Sequence, residues 1–147
     1  MPIRRSLAAL VPLLLMACGS DTPTSPSTTT ATTTTVAPAS MTEVFNSTLP
    51  VGGAKFYSFT VVANGTVNVT LGSLAGPEVA ADATVDLGLG RPAGMVCNAT
   101  TTATVSTATP APQVTGTYAP GVYCVRVADT TSALPATASF SVAIEHS

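Results

Sequence analysis

Residues 65–71 read Gly-Thr-Val-Asn-Val-Thr-Leu, and their three aliphatic side chains alternate with polar ones. Successive side chains of an extended chain point to opposite faces, so this period of two predicts a β-strand with one buried face and one face in water. The same alternation recurs in several other segments, and nothing in the sequence carries a convincing 3.6-residue helical period. These further segments are residues 54–61, 85–90, 123–127 and 140–144.

Weaker alternation at residues 42–48, 103–107 and 113–118 brings the expected number of strands to about eight. Turn-forming pairs separate the strands, as is typical of antiparallel sheets. The predicted fold class is therefore all-β: an antiparallel β-sandwich of jelly-roll or Greek-key type. An immunoglobulin-type sandwich is disfavoured because the chain contains no tryptophan. The turn pairs are Asn64-Gly65, Gly76-Pro77, Arg91-Pro92 and Pro120-Gly121.

The first residues have the pattern of an export signal. Two arginines within residues 1–5 precede an apolar run of about ten residues, which is too short to span a membrane. The run ends in Leu15-Met16-Ala17-Cys18, which resembles the bacterial lipobox. We expect residues 1–17 to be a lipoprotein signal peptide and the Cys18 thiol to be lipidated, which anchors the protein in a membrane. The alternative is an ordinary secretory signal with an incidental cysteine.

The resemblance places the protein outside the cytoplasm, in the bacterial cell envelope. Gly19 and Ser20 follow the cysteine. Neither resembles the aspartate that retains many lipoproteins in the inner membrane, so the outer membrane is expected if the source has two membranes.

Residues 18–40 are expected to form a tether. From Ser20 onward this segment is rich in Thr, Pro and Ser, has no aromatic residue and has almost no large aliphatic residue. It cannot bury enough apolar surface to offset the entropy of ordering, so it should be extended and solvated. Residues 41–147 are then the folded domain, large enough for one core.

The charge of the mature chain excludes two partner classes. Without the signal arginines, three basic residues (Lys55, Arg91 and Arg126) oppose seven acidic ones, for a net charge of −4. Three cations scattered along the sequence do not predict a positively charged patch that could bind nucleic acid or an anionic lipid surface. We expect no nucleic-acid partner, and membrane association only through the anchor at Cys18.

Four segments of the domain share their pattern and their order with one known family. Residues 45–61 read Phe-Asn-Ser-Thr-Leu-Pro-Val-Gly-Gly-Ala-Lys-Phe-Tyr-Ser-Phe-Thr-Val, and they resemble the opening of the bacterial pre-peptidase C-terminal domain. Residues 85–89, Val-Asp-Leu-Gly-Leu, resemble its D-L-D-L-Y-L strand, and residues 119–127 resemble its P-G-T-Y-Y-V-R-V strand. Residues 140–142, Phe-Ser-Val, near the C-terminal end of the domain are similar to the last segment of that family. The resemblance implies a non-catalytic sandwich that in some members binds collagen or polysaccharide. Glu43 is the only acidic residue near the N-terminal edge, so the calcium site of some members is not expected.

The remaining cysteines, Cys97 and Cys124, form an even pair in an oxidising compartment and predict a disulfide. Cys124 faces away from its apolar neighbours on a two-residue repeat. We therefore expect the bridge to sit off the main core and to join a loop or edge to that strand. A metal or redox site made of two free thiols is the alternative.

Catalytic candidates are few, and we expect no enzyme activity, no cofactor and no metal. The single histidine, His146, is next to last in the chain, where termini usually fray. Asp82 and Asp86 could be paired carboxylates or a calcium site, but residues on a loop and a wet strand face are more often solvated. Arg126 is better explained as a solvated residue on the outer face of a strand than as a residue that binds a ligand.

Two function hypotheses follow from these residues. In the first, the domain is a binding module for an extracellular polymer, either polysaccharide or protein, or for an envelope partner. In the second, it is a structural envelope lipoprotein without a ligand. Sugar platforms need exposed rings, and Tyr118 and Phe56 are the two that could face water. Side-by-side placement of these rings would favour binding.

Overall fold

The computed structural model describes residues 39–107 and 111–147. These residues form eight β-strands and no helix, so none of them belongs to a helix that could span a membrane. The strands are β1 (Met41–Leu49), β2 (Ala54–Val61), β3 (Gly65–Ala75), β4 (Val85–Ala93), β5 (Val96–Val105), β6 (Val114–Tyr118), β7 (Gly121–Ala128) and β8 (Ala138–His146). The predicted cysteine anchor, signal peptide and nearly all of the predicted tether lie outside the described residues.

The strands pair antiparallel in two four-stranded sheets. Sheet 1 has the order β1-β8-β3-β6, and sheet 2 has the order β2-β7-β4-β5. Consecutive strands mostly alternate between the sheets, so the chain crosses repeatedly from one layer to the other. This is the order of a double-sheet jelly roll, and it confirms the predicted all-β sandwich.

The inward faces of the two sheets form one hydrophobic core. The alternation of residues 65–71 places Val67, Val69 and Leu71 in this core, each at most 1 % exposed. Sheet 2 supplies Leu87 and Leu89 of β4 and Tyr123, Val125 and Val127 of β7 from the opposite side. Burial of such aliphatic side chains is the main stabilising contribution in a domain of this size.

Two sequence predictions about strand limits are wrong. Arg91-Pro92 is not a turn but lies inside β4, and β5 begins at Val96 instead of residue 103. The turn between these strands is Gly94-Met95, with a positive φ of 62° at Gly94 that suits a two-residue hairpin. Proline is tolerated in β4 because the pairing of β4 with β7 ends at Gly90, which leaves Pro92 with a neighbour on one side only.

Candidate functional site

A disulfide on the outer face of sheet 2 joins the β4–β5 hairpin to β7. Cys97 in β5 and Cys124 in β7 form a disulfide, with their Cα atoms 5.9 Å apart. Cys124 alternates with the core residues of β7, so the bridge lies off the core and joins the edge strand β5 to the interior strand β7, as predicted. Cys124 is nevertheless fully buried.

Gly90 lets β5 approach β4 closely beside this bridge. A Cβ atom at Gly90 would lie 1.8 Å from the backbone oxygen of Asn98, so only glycine fits there. The register between the strands shifts at the same point and leaves Thr100 as one extra residue on β5. Such a bulge bends a strand and changes the direction in which its side chains point.

A cleft of about 310 Å³ opens next to this bulge, and we call it the Arg91 cleft. Arg91 continues the inward face of β4 beyond Leu89, at the point where pairing with β7 has ended. The edge strand of sheet 1, β6, contributes Tyr118 from the other layer. The cleft is lined by Gly90, Arg91, Asn98, Thr100, Tyr118 and Tyr123.

Tyr123 organises the floor of the Arg91 cleft. The guanidinium of Arg91 lies 4.6 Å from the centre of the Tyr123 ring, and its Nη2 donates a 3.0 Å hydrogen bond to the Tyr123 hydroxyl. That hydroxyl in turn donates to the carbonyl of Ala119 at 3.0 Å. The Tyr118 ring packs edge-on against Tyr123, with 4.9 Å between ring centres. The cation and the two rings are thus held in one arrangement.

The rim of the Arg91 cleft is polar and open to water. Asn98, Thr100 and Arg91 are exposed, and Tyr118 is half-buried. The Thr100 hydroxyl contacts the carbonyl of Leu89 at 3.4 Å. No acidic residue lies among those that line the cleft in the described part of the chain. The cleft therefore offers an aromatic surface, hydrogen-bonding groups and a single positive charge.

The structure does not bring Tyr118 and Phe56 together. Phe56 is half-buried and lines a different cleft, of about 200 Å³, on the outer face of sheet 2. Met95 and Val96 of the β4–β5 turn region form part of that cleft and are exposed. The two rings therefore do not form a single platform, so the side-by-side placement that would favour binding is not present, and each ring must be considered separately.

Of the remaining polar candidates, Asp86 and Arg126 lie on the outer face of sheet 2 and Asp82 lies on a loop. Asp86 accepts hydrogen bonds from the hydroxyls of Thr104, at 2.8 Å, and of Thr130. Asp82 is exposed on the preceding loop. Arg126 is half-buried and pairs across the sheet with Phe56 and Gly88. No group of three or more metal-ligating side chains occurs within residues 39–107 and 111–147.

The expectation that His146 frays at the chain end is wrong. Its side chain is fully buried at the end of β8, 5.0 Å from the Phe59 ring centre. Its Nε2 lies 2.9 Å from one carboxylate oxygen of Glu43. Pairing of β8 with the whole of β1, together with this polar partner, holds the terminal residues against the core.

Glu43 also binds Tyr57. The Tyr57 hydroxyl donates a 2.5 Å hydrogen bond to the second carboxylate oxygen, and the ring stacks on Phe45 at 5.5 Å. The hydrogen bond to Glu43 and the negative charge of its carboxylate raise the pKa of Tyr57 above its ordinary value of 10. Glu43 thus connects three strands, β1, β2 and β8.

Asp129 is a buried carboxylate that the sequence analysis missed. It is 1 % exposed and accepts backbone N–H hydrogen bonds from Gly52 at 2.9 Å, Ala133 at 2.8 Å and Leu134 at 3.3 Å. It connects the β1–β2 turn to the β7–β8 loop, which is a structural role. An Asp directly after a strand and before Thr-Thr-Ser is the local signal that could have indicated a loop anchor.

Comparisons of the chain with known protein families and with curated proteins find no match. The resemblance to the pre-peptidase C-terminal domain therefore stays a prediction from the segments quoted above.

Proposed function

We propose that this protein is a lipid-anchored, extracytoplasmic, non-catalytic β-sandwich that binds an extracellular polysaccharide in the Arg91 cleft. The observation that carries the proposal is the composition of that cleft. It joins the half-buried Tyr118 ring to the polar side chains of Arg91, Asn98 and Thr100. Small-ligand sites typically combine apolar or aromatic surface with a few placed polar groups in this way.

A polysaccharide suits this surface better than a protein partner. Sugars present hydroxyl groups that pair with amides, hydroxyls and guanidinium groups, together with C–H faces that pack on aromatic rings. The Arg91 cleft is about 310 Å³, near the lower end of small-ligand sites, and lies at the edge of the sandwich where a longer chain can continue past it. Specific protein partners instead need broad complementary surfaces.

The N-terminal segment supports a location on the outside of a membrane. Lipidation at Cys18 adds more than one acyl chain, which anchors a protein stably. A Thr/Pro/Ser tether of some twenty residues could hold the domain up to roughly 60 Å from the lipid. The resemblance to the pre-peptidase C-terminal domain supports the same proposal, because it implies a non-catalytic sandwich that in some members binds polymers.

A binding assay with the full-length protein in a nonionic detergent tests the proposal. The protein is immobilised and exposed to a panel of neutral and acidic polysaccharides and to solubilised envelope proteins. We expect at least one polysaccharide to bind. Tyr118→Ala and Asn98→Ala should each weaken that binding, because both side chains line the Arg91 cleft.

Matched controls locate the site. Phe56→Ala removes a ring from the other cleft, and Asn64→Ala removes an exposed asparagine that lines neither of these two clefts, so both variants should bind like the wild type. Loss of binding in Phe56→Ala with retention in Tyr118→Ala would move the site to the outer face of sheet 2. Capture of an envelope protein without any polysaccharide would favour the protein-binding hypothesis. If nothing binds, the structural envelope lipoprotein is the better description.

A further inference from the structure

We infer that the saccharide bound in the Arg91 cleft carries a carboxylate, as a uronic acid unit does, and that Arg91 binds this group. The inference rests on the proposed polysaccharide function and goes further by naming the ligand class. Arg91 is the one charged side chain among the residues that line the cleft. Its guanidinium is planar and can form two parallel N–H···O hydrogen bonds to a carboxylate.

Arg91 is held in position before any ligand arrives. The Tyr123 ring lies beneath the guanidinium at 4.6 Å, and the Tyr123 hydroxyl accepts a hydrogen bond from Nη2. A guanidinium has five N–H donors, and this contact uses one of its nitrogens, so donors remain on the rest of the group. Because the side chain is already ordered, little further conformational entropy is lost when it pairs with an anion.

No acidic side chain competes for Arg91 among the residues that line the cleft. No carboxylate lines the cleft, and the ion pair found among the described residues is between His146 and Glu43, on β8 and β1. All three cations of the described chain, Lys55, Arg91 and Arg126, lie in sheet 2. Of these, Arg91 alone is placed beside hydrogen-bonding groups and a tyrosine ring in one cleft.

The cleft contains one guanidinium and no second cation among its lining residues. This arrangement matches a sugar unit that carries a single carboxylate. Asn98 and Thr100 stand on β5 beside Arg91, and Asn98 pairs directly with it across the hairpin. Their amide and hydroxyl groups can pair with the sugar hydroxyls that flank a carboxylate on the ring. The anion and its neighbouring hydroxyls would then be bound by one continuous rim.

The test compares ligands that differ only at the carboxylate. Isothermal titration calorimetry with the full-length protein in nonionic detergent measures tetragalacturonate, its methyl-esterified form and a neutral tetragalactose. Tetragalacturonate should bind most tightly, and esterification should weaken binding by about tenfold or more, because a charge-assisted hydrogen bond is lost. Arg91→Gln should reduce tetragalacturonate binding by a similar factor and should remove the preference over the ester.

Arg126→Gln is the matched control, since it removes an arginine of sheet 2 that lies outside the cleft. It should leave the preference unchanged. Arg91→Lys keeps the charge but loses the planar fork, so intermediate binding with the acid preference retained is expected. This variant, together with Asn98→Ala, keeps the test valid if Arg91→Gln does not fold, as judged by circular dichroism.

Several outcomes would overturn the inference, and they separate it from the proposed function. Binding of the neutral sugar and the ester as tightly as the acid would leave a polysaccharide module and remove the carboxylate preference. Equal losses in Arg91→Gln and Arg126→Gln would show that the preference does not come from the cleft. Equal binding of a sulfated tetrasaccharide would show recognition of charge alone. Absence of binding to every saccharide would overturn both the inference and the proposed function.

Discussion

Asp129 shows how one buried side chain holds two distant loops together. Its carboxylate accepts three backbone N–H groups, from Gly52, Ala133 and Leu134, and its own N–H donates to the carbonyl of Gly53 at 2.9 Å. Buried N–H groups that lose their acceptor cost free energy because water cannot reach them. The carboxylates of Asp129 and Glu43 each link separate parts of the chain, so substitution of either should have a measurable effect.

Replacement of Asp129 by Ala should lower the free energy of unfolding by about 1–3 kcal/mol, because it leaves three backbone donors without their acceptor. Denaturant unfolding followed by circular dichroism measures the change. Asp82→Ala is the control, since Asp82 is exposed, and it should change the stability by no more than about 0.5 kcal/mol. Equal stability of the two variants would contradict the structural role of Asp129.

Tyr57 should make the stability of the domain depend on pH in the alkaline range. Its pKa is raised in the folded protein, by the hydrogen bond to Glu43 first and by the charge of that carboxylate second. Below the unfolded pKa of about 10 the stabilising contribution is fully present, and it is lost as the pH rises through the folded pKa. Above about pH 10 the wild type should therefore lose stability relative to Tyr57→Phe.

Ultraviolet titration of tyrosinate gives an independent measurement. The chain has three tyrosines, and one of them should titrate later than about pH 10 in the wild type. Glu43→Gln removes the negative charge, so that late titration should move to lower pH. A late titration that persists in Glu43→Gln would mean that another cause raises the pKa of Tyr57.

The β4–β5 hairpin determines where the Arg91 cleft and the cleft lined by Phe56 lie. Gly90 allows the close approach of the strands, Thr100 adds the bulge, and the disulfide from Cys97 attaches the hairpin to β7. The Arg91 cleft and the cleft lined by Phe56 both include residues of this hairpin. The hairpin is therefore the element whose disturbance should affect binding most.

Removal of the disulfide should destabilise the domain without unfolding it. The bridge joins residues 27 apart in sequence, and a closed loop of this size contributes roughly 3–4 kcal/mol on the chain-entropy model. The double variant Cys97→Ser/Cys124→Ser should still fold but melt roughly 12–20 °C lower. Thermal melts monitored by circular dichroism, with and without reductant, give the shift, and the reduced wild type should match the variant.

Thiol titration of the native protein provides the control for this prediction. The wild type should show no reactive thiol at Cys97 or Cys124 unless a reductant is added. Two free thiols in the protein isolated from the envelope would contradict the bridge and would restore the metal or redox alternative.

The sandwich as a whole is acidic, and the proposed attachment to a membrane depends on one residue outside it. Residues 41–147 contain three basic and six acidic residues, for a net charge of −3, and so few cations give little attraction to an anionic lipid surface. If the protein is held at a membrane, the acyl chains at Cys18 must supply the affinity.

Substitution of Cys18 by Ser should release the protein from the membrane fraction. Cells grown with an alkyne fatty acid should label the wild type, and the label should be lost in Cys18→Ser. Cys97→Ser serves as the control, because it removes a different cysteine and should keep both the label and the membrane retention. An unlabelled wild type whose mature chain begins elsewhere would contradict the lipoprotein assignment.

The fold class and the buried faces of most strands follow from local patterns in the sequence. Alternation at residues 65–71 was sufficient to assign Val67, Val69 and Leu71 to the core, because a period of two leaves only one face for apolar side chains. The same rule oriented Cys124 away from the core, and cysteine counting supplied its partner Cys97. The face of a strand is a local property, and the disulfide pairing depends on only a few cysteines. Both can therefore be predicted from a single sequence.

The Arg91 cleft and the buried polar contacts follow from the packing of the two sheets and do not follow from any local pattern. Arg91 faces Tyr118 because two strands from different sheets meet at one edge, and neither strand's pattern encodes that meeting. His146 is ordered by Glu43, which lies 103 positions earlier in the chain, and Asp129 binds Gly52, which lies 77 positions earlier. Contacts between residues so far apart in sequence form only when the two sheets pack. No local segment therefore contains the interactions that order these residues. The burial of His146 and the continuation of β4 through Pro92 were mispredicted for that reason.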